Sequence, residues 1–208
     1  MNFDPRLIDM VMQLRSRGVS NADVLRAVEQ TPRKRFLPES LHERAYEPRA
    51  LPLDCGQSVS APFESAIMMQ MLEPNYESKV LDIGTGSGWM AATLSRIVRR
   101  VYSVERYRRL IADAETALRK SGITNVEIRH GDGRYGWPGQ APFSRIIIGC
   151  GVRAIPEKIL DQLAPNGRLV AVVDGTLTVV ERARKHFSET DVMPMTLPMI
   201  EAGKSKSL

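Results

Sequence analysis

Three glycines on alternate positions, Gly84, Gly86 and Gly88, follow the apolar run Val80-Leu81-Asp82-Ile83 and stop at Trp89, where a helical pattern begins. Glycine takes positive φ without strain, and its missing Cβ lets a ligand touch the main chain. A strand, a tight turn and a helix start in that order make Gly84, Thr85, Gly86, Ser87 and Gly88 a candidate cofactor loop. The next strand-like run ends at Glu105 and Arg106, with Glu105 17 residues beyond Gly88. A carboxylate there can accept hydrogen bonds from both hydroxyls of a ribose. The third run ends at Gly131-Asp132-Gly133, where Asp132 can reach the edge of an adenine. Together these strand ends describe a nucleoside pocket.

A dinucleotide fingerprint would need G-x-G-x-x-G, and its third glycine would fall on Trp89. The observed G-x-G-x-G lacks that helix-packing glycine. It suits S-adenosylmethionine, whose methionine portion passes over the glycine loop while Glu105 holds the ribose. His42, His130 and His186 have no triad or metal spacing, so no metal is expected. Cys55 and Cys150 match neither a zinc nor a redox motif, and read as free thiols in a reducing compartment.

The elements that must position these groups alternate after Pro74. The pattern gives strand Lys79 to Ile83, helix Trp89 to Val98, strand Val101 to Val104, helix Arg108 to Ser121, strand Val126 to Arg129, strand Arg145 to Gly149, helix Pro156 to Leu163 and strand Arg168 to Val173. Such alternation implies an α/β fold with a doubly wound, mostly parallel sheet. Thr176 to Ala183 and Asp191 to Leu197 read as two further strands forming an antiparallel edge. Ahead of them, helical spacing marks residues 5 to 17 and 21 to 30, the second introduced by Ser20 and Asp23 as a capping pair. The stretch from Thr31 to Pro62, with prolines at 32, 38, 48, 52 and 62, reads as a long irregular loop of the kind that carries function. It leads into a helix from Pro62 to Leu72, with Ser60 where an N-cap would sit. The expected organisation is an N-terminal helical and substrate-loop extension over 1–74, a cofactor-binding domain over 75–200 and a flexible tail over 201–208, in one compact unit.

With 208 residues, 43% of them hydrophobic, the chain can bury a core without metal or disulfide staples. No apolar run approaches the ~18 residues that a membrane span needs, and the N-terminus is not a signal segment, so the cytoplasm is the expected setting. The net charge of +5 gathers partly in Arg96, Arg99, Arg100, Arg106, Arg108 and Arg109. Only 6% of residues are aromatic, too few to interleave such a patch as a base-stacking surface does, and nucleic acid is not the expected partner.

Over about residues 5 to 173 the sequence resembles the protein-L-isoaspartate O-methyltransferase family. The likeness is carried by Pro32-Arg33-Lys34-Arg35-Phe36-Leu37-Pro38, Ala45-Tyr46, Leu51-Pro52-Leu53, Gly56-Gln57-Ser58-Val59-Ser60, the glycine loop, Tyr102-Ser103-Val104-Glu105-Arg106, Gly131-Asp132-Gly133, Gly136-Trp137-Pro138 and Leu163 to Leu169. The Gly56 to Ser60 segment is close to the family's own Gly-Gln-Thr-Ile-Ser signature and is its most specific part. The resemblance implies a sheet of the class I methyltransferase type, and a monomer is the expected unit. The implied activity is methyl transfer from S-adenosylmethionine to the α-carboxylate of isoaspartyl residues in damaged peptides and proteins. It assigns substrate contacts to Gln57, Ser58, Val59 and Ser60, with Ser60 as the active-site serine in a positioning role. Gly84, Thr85, Gly86, Ser87, Gly88, Glu105, Arg106, Asp132 and Gly133 fall to the cofactor. The chain departs from the family pattern at Asp54, Phe63, Ser144 and Asp174 and in Pro194-Met195-Thr196-Leu197, departures expected on the substrate side. Two alternatives stay open: a carboxyl methyltransferase for another peptide or small acid, and an RNA-binding protein that keeps the fold.

Overall fold

The apolar strand runs pair into one seven-stranded sheet in a computed structural model that describes residues 4–184 and 186–205. The chain enters through α1 (Pro5–Ser16) and α2 (Ala22–Gln30), whose buried faces are Leu7, Met10, Val11 and Leu14, and Val24, Leu25, Ala27 and Val28. The cap of α2 is Asn21 rather than Ser20: its Oδ1 accepts the Asp23 and Val24 amides, both at 3.0 Å. The Ser20 amide instead donates to Gln70 Oε1 at 2.7 Å. Residues 31 to 62 are not one irregular loop. Short 3-10 turns at Arg33–Phe36, Glu39–Arg44 and Asp54–Gly56 alternate with a two-strand ribbon of β1 (Leu51–Pro52) and β2 (Ser58–Val59).

After α3 (Pro62–Leu72) come β3 (Lys79–Ile83), α4 (Trp89–Leu94), β4 (Arg100–Glu105), α5 (Arg108–Lys120), β5 (Val126–His130), β6 (Phe143–Val152), α6 (Glu157–Leu160), β7 (Leu163–Val173), β8 (Thr176–Ala183) and β9 (His186–Pro194). The strand order is β5-β4-β3-β6-β7-β8-β9, with β3 to β7 parallel and β8 and β9 added antiparallel. Side chains alternate across the inner strands: Val80, Ile147 and Val170 join the core under α1 to α4, while Leu81, Ile83, Ile146 and Ile148 join the opposite one.

Two helices are shorter than their periodicity suggests. α4 ends at Leu94 because Thr93 and Ser95 turn their hydroxyls onto the Trp89 and Ala92 carbonyls, and the next amides bond three residues back. α6 has four residues, since Gln162 already accepts the Phe143 amide and Leu163 pairs with Phe143 in the sheet. β9 lies earlier than expected, in register from His186 opposite Ala183 to Pro194 opposite Thr176, and its residues are exposed except Met193. Beyond Pro194, Met195 and Leu197 turn into the core and the chain recrosses to Gly151.

Beneath the glycine loop, the fully buried Asp82 accepts the Ser103 hydroxyl on Oδ2 at 2.6 Å, and Oδ1 finds no partner among the described residues. Burial pushes this carboxyl up to about 6, against the opposing Ser103 bond and with the Glu105 charge adding to the rise. Because the folded value exceeds the unfolded one, stability is fully present below about pH 4 and falls as pH rises through about 6, by up to ~3 kcal/mol. Asp82→Asn should therefore gain stability over the natural chain as pH is raised from 4 to 7, read as a widening difference between the two urea midpoints. A difference that stays constant with pH would show that Asp82 ionises freely.

Candidate active site

Strand order turns back at β3: β4 and β5 continue to one side, β6 and β7 to the other. Loops leaving the carboxyl ends of β3 and β6 therefore diverge and open a crevice. A register shift in the β6–β7 pairing between Ile147 and Gly151 carries Gly149 and Cys150 to the crevice wall. The cavity there is lined on one side by Ile83, Gly84, Gly86, Val104, Glu105, Arg106, Tyr107, Leu110 and Gly133, and on the other by Gln57, Ser58 and Ser60. Pro198 to Glu201 close the rim.

The glycine loop does two jobs. Gly84 and Gly86, at φ 92 and 53, present bare backbone to the cavity. Gly88, at φ 84, faces away, and a Cβ there would stand 3.0 Å from the Ala114 methyl on α5. It is thus the close-packing glycine that the sequence pattern lacked. Thr85 and Ser87 are mostly buried supports and do not line this cavity: Thr85 bonds the Ser103 hydroxyl, and Ser87 Oγ accepts the Trp89 amide at 3.3 Å while the residue borders the adjoining cavity beyond Gly86. Glu105 faces the cavity while accepting the Gly86, Arg106 and Tyr107 amides at 2.9, 2.7 and 3.0 Å. These bonds fix its carboxylate without a cation.

Asp132 is placed differently from its sequence expectation. Its carboxylate is taken up by the Arg134 amide and guanidinium and by the Gly203 amide at 2.7 Å, so Gly133 and not the Asp132 side chain lines the cavity. The Arg134 bonds hold that carboxyl below the ordinary range despite partial burial. Among the acceptor-side residues, Gln57, Ser58 and Ser60 meet the cavity, whereas Val59 pairs with Leu51 and is buried in the core. Ser60 does not cap α3. The N-cap is Ala61, whose amide is met by Glu64 Oε2 at 2.7 Å, and the Ser60 hydroxyl is left to the cavity.

The substitutions expected on the substrate side lie elsewhere. Asp54 pairs with Arg109 at 3.1 Å, Phe63 sits under the Arg17 guanidinium at 3.6 Å, Ser144 Oγ accepts the Lys79 amide at 3.0 Å, and Asp174 occupies the β7–β8 turn at φ 45. None lines this cavity, but Asp54 borders the adjoining one, which shares Gly86 and Leu110 with it. The segment that does reach it is Pro198 to Glu201, which local sequence signals did not mark. Glu201 pairs with Arg106, accepts the Tyr107 hydroxyl at 3.0 Å and receives Gln57 Nε2 at 3.3 Å. With the Gly203 bond and the Ser205 amide on the Arg106 carbonyl at 3.0 Å, residues 201–205 of the expected tail lie across the rim; 206–208 fall outside the described residues. Gly149 and Cys150 were also missed, although strand ends beside a switch point are where ligand contacts are to be sought. Half of the arginine cluster is spent on carboxylate partners, Arg100 on Glu127, Arg106 on Glu201 and Arg109 on Asp54 and Asp113.

The family described as protein-L-isoaspartate(D-aspartate) O-methyltransferase (PCMT) matches residues 6–198. A protein-L-isoaspartate O-methyltransferase of Maricaulis maris (strain MCS10) is 46% identical over 209 residues, spanning 99% of this chain and 98% of the relative. A solved protein-L-isoaspartate O-methyltransferase superposes with a TM-score of 0.85 at 26% identity, over 94% of this chain and 66% of that one. A Plasmodium falciparum structure in complex with S-adenosyl-L-homocysteine shares the fold, with a TM-score of 0.79 at 20% identity over 93% of this chain and 97% of that one. Among the described residues no helix is long and apolar enough to cross a membrane.

The rim contacts are open to direct test. Glu201→Ala removes a half-exposed ion pair, so global stability should change by less than ~1 kcal/mol. The amides of Gly203 and Ser205 should nevertheless exchange with solvent markedly faster, as read by hydrogen exchange. Unchanged protection would mean that Glu201 does not hold the segment.

Proposed function

Because this chain belongs to the protein-L-isoaspartate(D-aspartate) O-methyltransferase family, we propose that it methylates the free α-carboxylate of L-isoaspartyl residues in damaged peptides and proteins, with S-adenosyl-L-methionine as donor. The observation that carries this reading is the meeting of two groups in one cavity. The glycine loop and Glu105 form one wall, and Gln57, Ser58 and Ser60 form the other.

The residues present fit the donor. Gly84, Gly86, Gly133 and Gly149 put bare backbone on the wall, and a Cβ at Gly133 would stand 2.7 Å from Ile83. Glu105 spends three acceptor positions on amides, out of the ~4 that a carboxylate offers, and keeps room for a ribose hydroxyl. Val104, Leu110 and Ile200 supply apolar surface for a base. In this reading Gly84 and Gly86 carry the methionine portion, with Thr85, Ser87 and Gly88 bracing the loop from behind, Glu105 holds the ribose and Gly133 the adenine side. Asp132 and Arg106 order the rim through Gly203 and Glu201.

When bound, S-adenosyl-L-methionine supplies an electrophilic methyl group on a sulfonium. The acceptor, an α-carboxyl with an ordinary pKa of about 3.3 to 3.7, is ionised at neutral pH and requires no general base. What the chain must do is hold that carboxylate at contact distance from the methyl and keep water away, and positioning alone can supply roughly 7 to 11 kcal/mol. Ser60 is suited to hold the carboxylate through its hydroxyl. The competing nucleophile on the wall is disarmed: burial pushes the Cys150 thiol up to about 12, with the Glu105 and Asp82 charges adding, so it stays protonated. We place the reaction in the cytoplasm, where Cys55 and Cys150 stay as thiols, with the monomer as the working unit.

Two peptides identical except for an isoaspartyl or a normal aspartyl link, offered with methyl-labelled donor, test the reading. Label should enter the isoaspartyl peptide alone; equal labelling or none would overturn it. In Ser60→Ala, S-adenosyl-L-homocysteine should bind as in the natural chain by calorimetry while kcat/KM falls about tenfold or more, a loss of ~1.4 kcal/mol in the transition state. Transfer at the natural rate would remove Ser60 from the acceptor site.

A further inference from the structure

Arg33 is a charged side chain with no exposure at all. It follows Pro32 in the 3-10 turn Arg33–Phe36, and its guanidinium reaches across the core to the acceptor-side segment. Nη1 donates to the Ala45 carbonyl at 2.8 Å, and Nη2 to the Ser60 carbonyl at 2.7 Å and, more weakly, to that of Val59 at 3.4 Å. The Nε finds no partner among the described residues. The guanidinium also lies 5.5 Å from the centre of the Trp89 ring, the first residue of the helix that leaves the glycine loop. No carboxylate of the described residues forms an ion pair with it; Glu64 and Glu47 act on it as more distant charges. Burial draws its pKa down to about 10, which leaves it charged at pH 7.

Such an arrangement is costly. A buried charge is ordinarily paired, and replacing buried charges by apolar groups is often neutral or stabilising. The carbonyls that Arg33 does bind belong to the segment whose next surface is the cavity, since Ser60 lines it. We propose that Arg33 is a positioning residue for methyl transfer. Its fork fixes Ser60 and Ala45 relative to Trp89, and its unneutralised positive charge, one residue behind the cavity wall, draws in the carboxylate of the acceptor. The inference rests on the isoaspartyl reading and adds to it what offsets the loss of water around that carboxylate. Attraction of this kind acts most on the bound acceptor, because the negative charge is consumed as the ester forms. Its signature is therefore in KM rather than kcat.

The test uses the full chain, an isoaspartyl peptide as acceptor and S-adenosyl-L-homocysteine as the cofactor-site probe. Arg33→Gln should raise KM for the peptide about tenfold or more with kcat changed less than about threefold. Affinity for S-adenosyl-L-homocysteine should stay as in the natural chain, and Arg33→Lys should recover part of the loss. Glu64→Gln keeps an acceptor for the Ala61 amide but removes the foremost negative charge acting on Arg33, and should lower KM. It decides the question if Arg33→Gln does not fold. A matched fall of kcat and probe affinity in Arg33→Gln, or a KM unmoved or raised in Glu64→Gln, overturns the inference. If the natural chain itself leaves the isoaspartyl peptide unmethylated, the functional reading fails and takes the inference with it. If the natural chain is active and the variants match it, the inference alone falls.

Discussion

Reversal of strand order at β3 is the constraint on which the chemistry hangs. A sheet that added strands in one direction would cover each strand end with the loop of its neighbour. Here the loops from β3 and β6 leave in opposite directions, and the gap between them is the cavity. Holding that gap open requires β3 to be rigid. Val80, Leu81, Asp82 and Ile83 are at most 1% exposed, with neighbours packed on both faces, so the glycine loop springs from a fully buried strand. Backbone then replaces side chains wherever strand ends approach one another. Gly133 meets Ile83, and Gly149 comes within 3.3 Å of the Ile83 carbonyl when a Cβ is placed on it.

The N-terminal region depends on the same crevice from the other side. Residues 31 to 62 are threaded by contacts that converge under Ser60: the Trp89 indole donates to the Thr31 carbonyl at 2.8 Å, and Arg33 joins Ala45 to Ser60. The acceptor wall is thereby tied to the start of α4 and so to the glycine loop itself. One contiguous core runs from Leu7 through Trp89 to Leu197. The helical extension and the sheet share their packing in that core.

Much of this was legible in the sequence, and the remainder was hidden for identifiable reasons. The strands, the doubly wound order and the glycine loop were readable because period-2 apolar runs and alternate glycines are local signals. Ser60 was ambiguous by the same logic, since a serine ahead of Pro62 is sound cap grammar; only the Glu64 bond to Ala61 resolves it. Asp132 looked available because sequence cannot show that Arg134 and Gly203 already use its oxygens. Pro198 to Glu201 were invisible as site residues, being more than 40 positions beyond Gly151, the β6 residue to which they return. Helix ends were overrun where hydroxyls or sheet pairing competed with the helical ladder, at Thr93, Ser95 and Phe143.

The far end of the sheet has a consequence for colloidal behaviour. β9 leaves one row of amides and carbonyls unmatched along the border of the molecule, and unmatched strands invite others. His186, Glu189 and Asp191 place ionisable groups along that border, and Pro194 withholds a donor at its end. A second sheet approaching in register would have to strip water from these carboxylates. The border therefore resists extension by a further strand through these charges and Pro194, even though Phe187 and Val192 leave apolar surface on the same strand.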